Sequence, residues 1–528
     1  SFYGEPNSAV RVLAFANAQG MKWGENSRSI AAVPIPMAAA MSKMARPHPD
    51  STILITTLAA YQTRFWLPVA KLLIAHGRAV ELLAFDDRSF EMAQAAGVPA
   101  NNIFRDGLAG LDADSDIDAM FRRRIDDYGI DNVNLLLSHE RVTFAIRDTG
   151  ALARRFVIYS NALEGVLDRL QTAGKSAVMV QELGGFLSVI ASFHAARRRG
   201  IDNWFLEPSF FRGRMFFVAN TFKALQAMDR PAEAVSGEVA RYLEQTYRSQ
   251  AIVVPIKDRH QYAPAVTKVA NFRNVRRLGE KLYDQYVLGK HQEFGHNLHH
   301  ARSHALMVRN AVSMQRHYQG LPEGKPFIYY PLHVPADMAL TLRSPEYLDQ
   351  LALIDYILRV IPASHMLAIK EHPAQIGAIP AARLKQLIRR YDNLVVLAPK
   401  SNNFSILERA DAVVSVNSKS GAEALLLGKQ VVVLGDAFYG KCPLVLRANR
   451  LHDLGDRIRE ALARPDVDRN EAAKYFQTAW DRSAPGELYV ADEGLIGTFV
   501  QSLETVLSGG TTEEMPVIAG WMTRRNGA

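Results

Sequence analysis

With 528 residues, 48% of them hydrophobic, the chain can bury two or three separate cores. Glycine and proline are ordinary in number and no window is low in complexity, which excludes fibrous and disordered classes. No apolar run approaches the ~18–20 residues that span a bilayer. The formal charge of +8 favours anionic partners such as nucleotides, acidic glycans or an anionic lipid surface, and no nucleic-acid partner is expected. A single cysteine, Cys442, cannot form an internal disulfide, and the N-terminal SFYGEPNSAV lacks the charged-then-apolar pattern of a secretory signal. A cytoplasmic location is expected.

In chain order, Val10 to Ala16 is a first candidate strand and an Ala/Met-rich helix is expected around Pro36 to Met44. Thr52 to Thr57 reads as a strand, Tyr61 to His76 as a helix stopped by Gly77, and Ala79 to Phe85 as the next strand. A short helix is expected over Ser89 to Ala96. The segment Gly107 to Arg147 mixes charges and reads as an inserted helical lobe, and Gly150 to Gln171 as an amphipathic helix.

Ser176 to Val180 then predicts a buried strand followed at once by Gln-Glu-Leu-Gly-Gly, with a helix from Phe186 to Arg199 and a strand from Asn203 to Leu206 leading into Glu-Pro-Ser. Parallel pairing brings Glu182 and Glu207 to one sheet edge, on loops, where α/β proteins place reactive groups. Each alone reads equally well as a solvated loop carboxylate. Arg212 and Arg214 are the expected cations for one of them, or for a ligand.

Phe222 to Gln250 is expected to be largely helical. Residues 268–317 are basic, with nine Lys or Arg against three acids and six histidines. His296 and His300 stand four apart, but no carboxylate follows at a recognisable distance, so no metal site is expected. A solvated helical face is the bland reading of this segment; contact with an anionic acceptor, or peripheral contact with a membrane surface, is the sharper one.

From Pro326 the pattern is regular α/β: strands Phe327 to Tyr330, Met366 to Ile369, Leu394 to Leu397, Ala412 to Val416 and Val431 to Leu434, with helices between. His333, His372 (its turn fixed by Pro373) and the turn from Asn417 to Gly421 all follow strands of one parallel sheet and should line one edge. The turn opens a helix, so free amides, hydroxyls and the helix dipole make a seat for phosphate. Ser420 and Glu423 also fit the S-x-x-E capping box, which needs no ligand. Helices Asp453 to Ala463, Glu471 to Trp480 and Ala491 to Leu507 close the chain, with a loose tail expected after Ser508.

Three runs carry a resemblance. YYPLHVPADMALTLRSPEYLDQ, IKEHP and VVSVNSKSGAEALLLGKQVVVLGDAFYG, in that order between Phe327 and Gly440, resemble the capsule polysaccharide biosynthesis glycosyltransferases, the group that includes bacterial Kdo transferases. QELGGF and FLEPSFFRGR resemble that group's acceptor-half motifs. The resemblance implies a GT-B fold: two Rossmann-type domains, 1–320 with helical insertions and 321–485, facing a central cleft, with 486–528 as a C-terminal helix and tail. It implies a nucleotide-sugar donor, CMP-Kdo or another CMP-linked acidic sugar, a glycan or lipid-linked acceptor, and no cofactor or metal. Glu182, Glu207 and His372 are the catalytic candidates; the resemblance carries over Glu182 and His372, and for the donor Pro373, Ser418, Ser420, Gly421 and Glu423. His333, Lys370, His372, Pro373, Asn417, Ser418, Ser420, Gly421 and Glu423 are the donor-binding ones. The chain departs from the group in reading Glu-Leu-Gly-Gly-Phe where better-known members read Glu-Asp-Gly-Phe, and in lacking an Asp-x-x-Gly-Ile-Tyr segment. A UDP- or GDP-sugar transferase, a nucleotide-sugar 2-epimerase using paired carboxylates, and a non-catalytic binding protein therefore stand as alternatives.

Overall fold

The structure is a computed structural model that describes residues 50–112, 114–250 and 272–510. The strand at Val10 to Ala16, the helix at Pro36 to Met44, Lys268 and the tail beyond Gly510 lie outside the described residues.

Two sheets organise the chain. The first is built from β1 (Thr52–Thr57), β2 (Val80–Ala84), β3 (Ala100–Asn102), β4 (Ala177–Glu182), β5 (Asn203–Pro208) and β6 (Arg214–Ala219); the second from β7 (Phe327–Pro331), β8 (Met366–Lys370), β9 (Leu394–Val396), β10 (Ala412–Ser415), β11 (Gln430–Val433) and β12 (Leu446–Arg447). A last short strand, β13 (Ala484–Pro485), returns to the first sheet, antiparallel to β6. The second sheet runs β9-β8-β7-β10-β11-β12, and the first runs β3-β2-β1-β4-β5-β6-β13. Each is wound outwards in both directions from a central pair, so each has a topological switch point, between β7 and β10 and between β1 and β4. The α/β, GT-B-like arrangement expected from the sequence is present.

Composition explains the strands. Parallel strands covered on both faces read as unbroken apolar runs, and β1, β7, β10 and β11 are buried along their whole length. β6 was not expected. Its RMFFVA run follows the Gly213 turn and pairs antiparallel with β5, Glu207 opposite Phe216. The helix expected over Phe222 to Gln250 shrinks to Gly237–Ser249. The preceding stretch instead crosses to the second half, where the Ala227 amide donates to the Phe438 carbonyl at 2.8 Å and the Ala224 amide to Asp436 at 2.7 Å.

The C-terminal helix Glu493–Leu507 packs on the first half. Phe499 meets Phe65 and Trp66 edge-on at 5.2 and 5.8 Å. A fully buried aromatic of this kind contributes about 1.5–3 kcal/mol, and the helix's apolar face (Ile496, Phe499, Val500, Leu503) finds its cover on the helix Ala60–Ala75. Ala484 to Leu507 thus belongs with the first sheet, whereas the sequence divides the chain at residue 485. Aromatic contacts join the two halves: Phe210 lies 5.0 Å from Phe476, and Phe216 lies 6.0 Å from Phe438.

Candidate active site

The carboxyl ends of both sheets open into one cleft of about 590 Å³. Glu182, Glu207, His333, Lys370, His372, Pro373, Asn417, Ser418, Ser420 and Glu423 all line it.

The phosphate-type turn follows β10. The helix begins at Lys419 and its cap is Ser418, whose hydroxyl accepts from the Ser420 amide at 3.2 Å. The Ser420–Glu423 capping box does not form. Glu423 is buried and accepts instead from the Asn403 amide nitrogen at 2.6 Å, while the same nitrogen reaches the Ser420 hydroxyl at 3.1 Å. Burial holds the Glu423 carboxyl above its ordinary range. Gly421 lies under the turn, not among the residues lining the cleft. A Cβ there would come within 2.1 Å of the Tyr439 hydroxyl, and that hydroxyl donates to the Ser418 carbonyl at 2.6 Å. Asn417 ties the turn down by donating to the Ala339 carbonyl at 2.7 Å and to Ser344 at 3.2 Å.

At the ends of β7 and β8 stand the two histidines. His333 is buried, and burial together with the nearby His372 pushes its ring down to about 3, so it is neutral at pH 7. His372 is also held below its ordinary value by burial, against the pull of Asp337. Its Nδ1 accepts from the Ala374 amide at 3.3 Å, which orients the ring, and Pro373 occupies the first position of the short turn that follows. Two buried polar atoms of the cleft lining, His333 Nε2 and Asn417 Oδ1, have no hydrogen-bond partner among the described residues. Buried polar atoms are nearly always paired, so orphans that share one cleft point to a ligand. Lys370 is buried, which lowers its ammonium to about 8, and it donates to the Ser401 carbonyl at 3.0 Å.

The two carboxylates sit differently from the expectation. Both belong to strands rather than loops, and in the β4–β5 register Glu182 stands opposite Leu206. Adjacent residues on a strand face opposite ways, so Glu182 and Glu207 project to opposite faces of the sheet and do not form a pair around one atom. Glu182 accepts from the Tyr489 hydroxyl at 2.6 Å and from Gln62 at 3.1 Å, at the β1/β4 switch point. Glu207 is held by Arg343, not by Arg212 or Arg214. Arg214 is drawn away to stack 4.2 Å over Trp480 and to donate to Ser483. Arg343, Asp337, His139, Asn403 and Tyr489 were not singled out by the sequence. The first two lie inside a quoted motif run, but nothing in their spacing marks them. His139 comes from the inserted lobe, where it meets Thr341 across the cleft at 2.8 Å.

In the basic segment, His296 and His300 pack around Phe144 at 4.4 and 5.5 Å, and burial lowers both rings to about 4. Glu293 is fully buried against Arg155. The segment is partly core, not a uniformly solvated face. Among the described residues no helix is long and apolar enough to cross a membrane.

Residues 193–449 match the family described as capsule polysaccharide biosynthesis protein. The match covers a little under half of the chain. Protein FixF of Sinorhizobium fredii is 36% identical over 139 residues, 26% of this chain and 32% of that protein. The match spans about a third of that relative's length. Among solved structures, the chain is similar to Thermosulfurimonas dismutans KpsC, beta Kdo 2,7 transferase, at 16% identity over 64% of this chain and 88% of that one, with a TM-score of 0.32. It is also similar to Methanocaldococcus jannaschii UDP-GlcNAc 2-epimerase, at 11% identity over 82% and 98% of the two chains, with a TM-score of 0.28. The matched region includes Glu207, His333, Arg343, His372 and the 417–423 turn, while Glu182 lies before it.

Proposed function

We propose that the chain is a glycosyltransferase of bacterial surface-polysaccharide synthesis, moving a sugar from a nucleotide donor to a glycan or lipid-linked acceptor. The observation that carries this reading is that Glu182 on one sheet and the Asn417–Ser420 turn on the other face the same cleft. The nucleotide side would be held at the β7/β10 switch point. There the amides of the Lys419–Leu426 helix, the hydroxyls of Ser418 and Ser420, and the neutral rings of His333 and His372 offer hydrogen bonds to phosphate. Charge on the leaving phosphate is met in this reading by the helix terminus and Lys419 rather than by a divalent cation. Glu182 takes the proton of the acceptor hydroxyl as its oxygen bonds to the anomeric carbon, and the bond from that carbon to the phosphate oxygen breaks. Glu207, on the opposite sheet face from Glu182 and paired with Arg343, ties the two halves together.

A CMP-linked acidic sugar such as CMP-Kdo is the favoured donor, and transfer takes place on the cytoplasmic side. The epimerase alternative loses support, because it needs paired carboxylates and these two point apart.

The test is the thermal shift of the protein with CMP, UDP and GDP at matched concentrations, since a ligand that binds only the folded state raises the melting temperature. Stabilisation by CMP alone, lost in His372→Ala, is expected. Stabilisation by UDP or GDP instead replaces the donor but keeps the cleft. No shift with any of them overturns the donor site.

A further inference from the structure

A second cavity, of about 470 Å³, lies in the first half, away from the donor cleft. It sits between the helices Ile103–Ala109, Thr149–Thr172 and Phe272–Tyr286, closed by the loop that follows Tyr286. Four cationic side chains line it, Arg105, Arg154, Arg155 and Lys290, and no carboxylate does. Three of them have ionic partners: Arg105 with Asp87, Arg155 with Glu293 and Glu140, and Lys290 with the half-exposed Glu91. Arg154 is exposed and has no ionic partner among the described residues.

The rim has the opposite character. Eight of the eleven large apolar side chains exposed among the described residues lie between Leu278 and Val312. Tyr286, Val287, Leu288 and Leu298, at 66, 65, 49 and 68% exposed, stand within two residues in sequence of the cavity's lining residues. Scattered exposed apolar residues need no explanation, but a concentration of this kind marks an interaction surface.

A cationic cavity framed by apolar side chains has the chemistry of a lipid interface, where phosphate lies just outside the acyl chains. A soluble acidic glycan would satisfy the cations and leave the rim in water. We propose that this cavity seats the phosphate of an anionic phospholipid headgroup, with Tyr286, Val287, Leu288 and Leu298 entering the interfacial layer and holding the chain on a bilayer surface. This is independent of the donor reading, because vesicle binding is read without any transfer reaction.

The experiment is co-sedimentation of the full chain with phosphatidylcholine vesicles with and without phosphatidylglycerol, over a range of salt concentrations. Binding is expected only to the anionic vesicles and to weaken as salt rises. Arg154→Glu should lower partitioning by roughly 5-fold or more, about one interaction per basic charge removed. Val287→Ser with Leu288→Ser should lower it even at low salt, where electrostatic attraction is strongest. All these positions are exposed, and unchanged melting curves check that the variants fold. Absence of binding to anionic vesicles overturns the proposal, as does binding that neither variant weakens. Arg154-dependent binding of inorganic phosphate or of a soluble oligogalacturonate without vesicle binding also overturns it, and makes the cavity a small-anion or glycan subsite.

Discussion

Arg343 grips Glu207 with both arms of its guanidinium, at 2.7 and 2.8 Å, and the two residues come from different halves of the cleft. Parallel donation of this kind is the strongest form of the arginine–carboxylate contact, and Arg343 also reaches the Phe222 carbonyl at 2.7 Å. The carboxylate that the sequence offers as half of a catalytic pair is therefore a clasp. Arg343→Ala removes the two-armed partner of a largely buried carboxylate. It should cost about 2–3 kcal/mol, somewhat below the range for fully buried pairs because Glu207 is about a quarter exposed. Urea unfolding measures it, and Arg343→Lys, which keeps the charge but loses the fork, should fall between the wild type and alanine. A loss below about 0.5 kcal/mol, the scatter of surface substitutions, would remove the clasp.

Glu182 is the contrasting case. Glu182→Gln keeps the shape and can still accept from Tyr489 and Gln62, but it cannot take a proton. Transfer should fall by about 10²–10⁴-fold, while the nucleotide-induced thermal shift stays as it was. Tyr489→Phe, which only loosens the carboxylate, should lower transfer less. Turnover of Glu182→Gln within a few-fold of wild type would rule out the general-base role.

The halves of the site differ in how legible they were. Strand ends in parallel sheets are readable because β7 and β10 are apolar runs that give way to polar residues, so the edge carrying His333, His372 and the Asn417 turn could be placed from sequence. What the sequence could not supply is pairing between residues far apart. Arg343 and Glu207 are separated by 136 positions, and Tyr489 reaches Glu182 across 307. Arg214 looked equally suited to hold Glu207, and only the packing of Trp480 against it decides otherwise. Register was a further gap. Without knowing that Glu182 pairs with Leu206, two carboxylates at the ends of neighbouring strands look like partners when they face opposite ways. The capping box failed for a related reason: Asn403, from a different helix, competes for Glu423.

Buried neutral histidines set the acid limit of the fold. His333 is pushed down to about 3 and His139 to about 4, both mainly by burial. The unfolded chain binds a proton at each near pH 6.5, while the folded chain does not. Stability is therefore full above pH 6.5 and falls as pH drops towards 4, by up to about 1.4 kcal/mol per pH unit for each ring. Melting temperature against pH should show this descent, and His333→Gln should make it shallower by about one proton. A flat profile between pH 6.5 and 5 would show that these rings are more open to water than their burial implies.

Gly421 tests whether the turn is a tuned seat or an ordinary cap. Its α-carbon lies against the Tyr439 ring, where a Cβ would approach the hydroxyl to 2.1 Å and the ring carbon bearing it to 2.6 Å. Tyr439 is fully buried and bonds Ser415 at 3.0 Å and the Ser418 carbonyl at 2.6 Å, so it cannot swing aside without releasing the turn. Gly421→Ala should thus displace Ser418 and weaken nucleotide-induced stabilisation, and overpacking should cost about 1–3 kcal/mol of stability. Tyr439→Phe removes the atom in nearest conflict but also both hydrogen bonds, so alone it should cost about 1–2 kcal/mol. Combined with Gly421→Ala it should cost less than the sum of the two, a coupling that a double-mutant cycle in urea reads directly. Strict additivity would mean that the contact does not hold the turn, and the phosphate seat would then have to rest on the Ser418 cap alone.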